Sequence, residues 1–175
     1  MRCPNLKRII GDCTKCGLCK IRRNIVIGRG SIPAGVLCIG EAPGNSEDVV
    51  GMPFFGRSGK LLDSMLEQAG FNVPYYITNT ILCHPSDKVG GNNEEPTEEQ
   101  VFACRDNLVT IYNAVRPELT IFVGKIAESW YKKIFKPNVT ILHPAFLLRT
   151  GGRASPHYQI TLNRLMEVVC RITAA

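Results

Sequence analysis

The sequence predicts an α/β fold, a three-layer α/β/α sandwich with a central four-stranded parallel sheet. Three observations predict it. Short apolar runs alternate with stretches of helical periodicity, in the order strand, helix, repeated along the chain. Two of the runs, Val36-Leu37-Cys38-Ile39 and Leu119-Thr120-Ile121-Phe122-Val123, stop at glycine and are apolar almost throughout, as strands covered on both faces are. The chain has 175 residues, 45% of them hydrophobic, which suits one domain with a real core. Without internal repeat or linker, a single domain over residues 1–175 is expected.

The first strand ends in Gly40-Glu41-Ala42-Pro43-Gly44, a tight loop that presents Glu41 at the strand's carboxyl end. That edge of an open parallel sheet is where ligands bind. From Ser58 to Gly70, Leu61, Leu62, Met65, Leu66 and Ala69 recur at helical spacing, with Gly70 to stop the helix. Tyr75 to Leu82 is strand-like and runs into Cys83-His84-Pro85. Residues 84–97 are polar and glycine-bearing, and predict a surface excursion. Thr97-Glu98-Glu99-Gln100 is a capping-box pattern that starts a helix through Val101, Cys104, Leu108, Ile111 and Tyr112. A strand over Leu119–Val123 precedes a short helix around Ala127 to Phe135. The fourth strand, Val139 to Leu142, ends at His143-Pro144. A last helix, about Pro156 to Ile172, is expected to pack Ile160, Leu162, Leu165, Met166 and Val169.

No apolar run approaches the roughly 20 residues needed to span a bilayer, so no membrane association is expected. Met1 to Arg8 shows no signal-peptide hydrophobic region, and a cytoplasmic protein is expected. The net charge of +6 permits nucleic-acid binding without demonstrating it. Eight cysteines in such a chain favour metal ligation over a disulfide framework. Cys13-Thr14-Lys15-Cys16 is a CxxC pair that can place two thiolates on one metal centre. Cys19 extends it to C-x2-C-x2-C, but the C-x3-C-P completion of bacterial ferredoxins is missing. No strand precedes Cys13, which argues against a thioredoxin-like dithiol.

Glu41, Asn79 and His143 thus stand at or near the ends of three strands. Together with GEAPG, Gly51-Met52-Pro53-Phe54-Phe55-Gly56, the CxxC pair and His143-Pro144-Ala145-Phe146-Leu147-Leu148-Arg149, they resemble the uracil-DNA glycosylase superfamily. The resemblance is closest to its family 4, the iron–sulfur type, and covers roughly residues 10 to 170. It implies a DNA repair enzyme that flips uracil out of DNA and hydrolyses its N-glycosidic bond.

What the resemblance implies can be given position by position. Cys13, Cys16, Cys83 and Cys104 would hold a [4Fe–4S] cluster, although their spacing suits a four-thiolate zinc site equally well. Cys3, Cys19, Cys38 and Cys170 are then spare, with Cys38 and Cys170 expected as buried core thiols. Phe54 would stack on the base, with Gly40 and Ala42 beside it, while the Asn79 amide reads N3–H and O4. His143 would donate to O2 as negative charge develops there. Glu41 would stabilise the cationic sugar and position the attacking water. Leu147 or Leu148 would wedge into the stack, and Arg57, Ser58, Lys60, Arg149 and Arg153 would meet phosphates.

Three departures from the family pattern stand out. The segment from Gly124 to His143 is short, Ala145 replaces a common serine, and His84 stands where arginine is frequent. Gly44 also lacks the aromatic side chain with which family 1 enzymes block thymine's methyl group, leaving Glu47 as the candidate wall. The partner expected is uracil-containing DNA, engaged by a monomer. Two rival readings use the same residues: a non-catalytic DNA-binding accessory of replication or repair, and a small iron–sulfur redox protein.

Overall fold

The structure, a computed structural model, describes residues 5–174. In chain order its elements are α1 (Leu6–Ile10), β1 (Arg29–Gly30), β2 (Val36–Gly40), α2 (Asn45–Val50), α3 (Arg57–Gln68), β3 (Tyr75–Asn79), α4 (Glu98–Val115), β4 (Leu119–Val123), α5 (Lys125–Tyr131), β5 (Asn138–Ile141), α6 (Pro144–Arg149) and α7 (Tyr158–Thr173). Single 3-10 turns lie at Gly17–Lys20 and Gly152–Ala154.

The sheet runs β1-β3-β2-β4-β5. Strands β3, β2, β4 and β5 are parallel, as the alternating sequence pattern requires. The expected count of four is corrected to five by β1, which pairs antiparallel with β3 through Arg29↔Ile77 and Gly30↔Tyr76. Two residues in a glycine-rich stretch carry no hydrophobic alternation, so nothing local announces this strand. Gly30 is there for space: at φ +121° a Cβ would stand 2.2 Å from the Tyr75 carbonyl oxygen.

Alternate residues of the strands feed two cores. On one face Leu37, Ile39 and Phe122 pack with Val101, Leu108, Ile111 and Val115 of α4. On the other, Val36, Cys38, Ile121 and Val123 meet Leu61, Leu62, Met65 and Leu66 of α3, and Leu162, Leu165 and Val168 of α7. The predicted capping box of α4 is present: Gln100 N–H donates to Thr97 Oγ1 and Thr97 N–H to Gln100 Oε1.

Several expectations need correction. The strand from Tyr75 ends at Asn79 rather than Leu82. The reason is local: the N–H and hydroxyl of Thr80 both donate to the Gly40 carbonyl, at 2.8 and 2.9 Å, and turn the chain toward Cys83. Helix α7 is rotated from the expected register, leaving Ile160 62% and Met166 43% exposed while Tyr158, Thr161 and Val168 go inside. The same rotation puts Cys170 in solvent, not in the core, whereas Cys38 is fully buried as expected. Cys3 lies outside the described residues. Among the described residues no helix is long and apolar enough to cross a membrane.

Candidate active site and thiol centre

Strands β2 and β3 finish side by side, with Gly40 paired to Asn79. A Cβ on Gly40 would stand 2.4 Å from Asn79 Oδ1 and 2.5 Å from the Phe54 ring, so glycine alone lets amide and ring close over the strand end. Phe54 is 7% exposed and sits at φ +52°, an uncommon conformation for a bulky residue. Two contacts hold it there. The Glu47 carboxylate accepts the N–H groups of Phe55 and Gly56 at 2.9 and 2.8 Å. At Gly59, in the first turn of α3, a Cβ would lie 1.7 Å from the Phe54 carbonyl oxygen, so the loop rests directly on the helix backbone. Strain of this kind persists where the surroundings over-determine it, typically at ligand sites.

His143 is the N-cap of α6, and its Nδ1 accepts from the Ala145 N–H at 3.1 Å. That bond leaves the neutral ring's proton on Nε2, as a donor. Burial, reinforced by Arg149, pushes the imidazole down to about 4, so it stays neutral at ordinary pH. Its ring lies 6.0 Å from that of Phe54. Glu41 is half-buried, and its carboxyl is raised above the ordinary value by desolvation first and by Glu95 second.

These groups share one pocket at the carboxyl edge of the sheet. It is lined by Glu41, Ala42, Pro43, Gly44, Glu47, Phe54, Ser58, Asn79, Pro85, Asn93, Glu94, His143 and Ala145. Of the described residues, two have a buried side-chain oxygen or nitrogen without a partner, Asn79 Oδ1 and Thr120 Oγ1. Thr120 sits in the amino-terminal half of β4, paired with Leu37 and Asn138, away from the pocket. Asn79, which lines the pocket, keeps its Oδ1 acceptor unpaired.

The sequence-predicted residues fare unevenly. Gly40, Glu41, Ala42, Phe54, Asn79 and His143 come together, and Ser58 reaches the same cavity. Arg57, Lys60, Arg149 and Arg153 are exposed, and Arg153 donates to Ser64 Oγ at 2.7 Å. Leu147 is not a wedge: it is fully buried against α3 and α7 residues, because Pro144–Arg149 is a helix rather than an open loop. Leu148 remains half-buried. Residues 84–97 are more than a surface excursion, since His84, Pro85 and Ser86 are buried and Pro85, Asn93 and Glu94 wall the pocket. Their polar composition hides this; the usable signal was their place directly after the carboxyl end of β3.

Cys13, Cys16, Cys83 and Cys104 line a second, small and almost wholly apolar cavity. None of the four is in a disulfide. Burial pushes the Cys83 thiol up to about 11 and that of Cys104 to about 12. Asn107 Nδ2 donates to Cys13 Sγ at 3.3 Å and Arg22 Nη1 to Cys83 Sγ at 3.6 Å, bonds suited to thiolate ligands. Among the described residues no group of three or more His, Cys, Asp or Glu side chains is arranged for a single metal ion. Zinc would need its sulfurs about 3.8 Å apart, from tetrahedral bonds of about 2.3 Å. Four thiols on one cavity make a donor set of the kind that iron–sulfur clusters take.

A family model for the uracil DNA glycosylase superfamily matches residues 27–167, and the chain belongs to that superfamily. Within it, the chain is similar to proteins named type-4 uracil-DNA glycosylase. That of Archaeoglobus fulgidus is 38% identical over 139 residues, covering 79% of this chain and 67% of that protein. That of Thermotoga maritima is 32% identical over 158 residues, covering 80% of each. In Saccharolobus solfataricus the relative is 38% identical over 128 residues, and the match spans 57% of its length.

Proposed function

We propose that this chain is a single-domain uracil-DNA glycosylase of the type-4 kind, acting on uracil extruded from DNA. The observation that carries this reading is the unpartnered Asn79 Oδ1. With the amide held at the end of β3, Oδ1 accepts the N3–H of uracil and Nδ2 donates to O4. Cytosine offers the reverse pattern and would leave buried groups unpaired, a cost of about 1–3 kcal/mol for each. Phe54 supplies the stacking face, and its constrained backbone keeps the ring preorganised.

As the bond between sugar C1′ and uracil N1 breaks, negative charge spreads onto O2 and positive charge onto the sugar. His143 Nε2–H faces the first, as a neutral donor that needs no prior protonation. Glu41 faces the second and orients the water whose oxygen joins C1′. Arg57, Lys60 and Arg149 meet phosphates at the rim, and Leu148 stands in for the departed base. Cys13, Cys16, Cys83 and Cys104 would hold a [4Fe–4S] cluster, which supplies a cross-link between the amino-terminal segment, the turn after β3 and α4.

The test is incubation with oligonucleotides bearing one uracil, single-stranded or opposite guanine or adenine, followed by alkali. Strand cleavage at the uracil is expected. Binding without cleavage would favour the accessory reading instead.

A further inference from the structure

The conformation of Phe54 is set by the two peptide planes that flank it, since φ and ψ are the only soft torsions between them. The plane after Phe54 carries the Phe55 N–H, which the Glu47 carboxylate accepts at 2.9 Å. The plane before it carries the Pro53 carbonyl, and that oxygen accepts from Arg29 Nε at 3.0 Å. Arg29 comes from β1, and its side chain is 23% exposed. A second edge of the same guanidinium is also taken: Nη2 donates to the Asp63 carboxylate on α3, as a hydrogen bond and an ion pair. A planar fork gripped at two points aims its remaining donor in one direction, which a single rotatable ammonium would not.

Two charged side chains thus hold the planes on either side of a residue at φ +52°. For a bulky side chain such a conformation persists only where its surroundings over-determine it. Released on the Pro53 side, the chain is free to turn Phe54 back to negative φ and to carry its ring away from Gly40 and His143. Strand β1 gains a purpose from this: two residues add little to the sheet, but they deliver Arg29 behind the loop. We propose that Arg29, oriented by Asp63, is a positioning residue that keeps the Phe54 ring in place for the extruded base. This rests on the uracil reading above, in which Phe54 stacks on that base.

Base recognition can be read apart from both chemistry and phosphate contacts. One single-stranded oligonucleotide carries 2′-fluoro-2′-deoxyuridine, whose fluorine resists glycosidic hydrolysis, and its twin carries deoxycytidine at the same place. Phosphate contacts are common to both, so the ratio of the two affinities, by fluorescence anisotropy, reports on the pocket. It is measured with Tm for the wild type, Arg29→Ala, Arg29→Lys, Phe54→Leu and the Arg29→Ala/Phe54→Leu double variant. Arg29→Ala is expected to lower the uridine preference by about tenfold, the scale of one hydrogen bond to a charged group. In the Phe54→Leu background the same substitution is expected to change it by about twofold or less, as a double-mutant cycle requires of residues that act as one. Arg29→Lys keeps the charge but not the fork, and is expected to recover Tm more than preference. An equal loss in both backgrounds would overturn the inference, because Arg29 would then act by a route other than Phe54. So would an Arg29→Ala variant with lowered Tm and undiminished preference, the mark of a purely structural pair. If circular dichroism shows Arg29→Ala unfolded, Asp63→Ala loosens the same fork from its other end, and an undiminished preference there overturns the inference alone. A wild-type protein with no preference for the uridine oligonucleotide would sink the function, and this inference with it.

Discussion

Asn79 and His143 present opposite solutions to the same problem, a polar group held out of water. Asn79 keeps its acceptor unpaired, at a cost to the fold that the N3–H of the proposed uracil ligand would offset. Asn79→Ala is therefore expected to lower kcat/KM on uracil DNA by about 10–100-fold, the equivalent of about 1–3 kcal/mol, with little loss of Tm. His143 instead gives up its charge. Its imidazole titrates at about 4 when folded against 6.5 unpaired, so the unfolded chain binds the extra proton between those values. Its contribution to stability is complete above about pH 6.5 and is lost as pH falls toward 4. Thermal melts across that range should show a steeper acid loss for the wild type than for His143→Gln. In the pH–rate profile, His143 should add no step near 6.5, and the acid limb should belong to Glu41, above its ordinary 4.5. That Glu41, Asn79 and His143 share one pocket was legible early, because each interrupts an apolar strand end. The Asn79 vacancy was not, since it depends on Gly40 and Phe54 arriving from elsewhere.

At the scale of elements, length decided what could be read. Strands β2 and β4 and helices α3 and α4 carry enough periodicity to declare themselves, and their predicted cores agree with the structure. Helices α2 and α6 span six residues each, too few for a hydrophobic stripe, and both line the site. For α6 this matters directly, because an irregular segment would let either Leu147 or Leu148 point at DNA. A helix assigns them separate tasks. Leu147→Ala is expected to destabilise the fold by about 2–5 kcal/mol through the cavity it leaves between α6, α3 and α7. Leu148→Ala, at a half-buried position, is expected to melt near the wild-type temperature and to weaken action on duplex substrate more than on single strands. Chemical denaturation and paired single-strand and duplex assays separate the two. Equal loss of stability in both variants would return Leu148 to the core.

Over the whole molecule, the thiol centre and the pocket are joined by the chain itself. The wall segment starts at Cys83, in the turn after β3, passes His84, Asn93 and Glu94, and returns to the core at Cys104 on α4. Both ends of the wall are thus anchored to one cavity, which also takes Cys13 and Cys16 from the amino-terminal segment. A metal group held by ligands this far apart in sequence contributes its binding free energy to folding. Its loss should loosen the wall before it touches the reacting groups, none of which is a cysteine or a neighbour of one in the pocket. Cys104→Ser is accordingly expected to lose the visible iron–sulfur absorbance and most bound iron, and to melt several degrees lower. Single-turnover release at saturating protein should fall less than KM for DNA rises, because Asn79, Phe54 and His143 keep their places at the end of β3, just before α3 and at the cap of α6. Metal analysis, thermal melting and the split between kcat and KM make three separate readouts. A wild-type protein without visible absorbance or bound iron, and a variant with the same Tm, would show that the four thiols hold nothing and that the wall stands by packing alone.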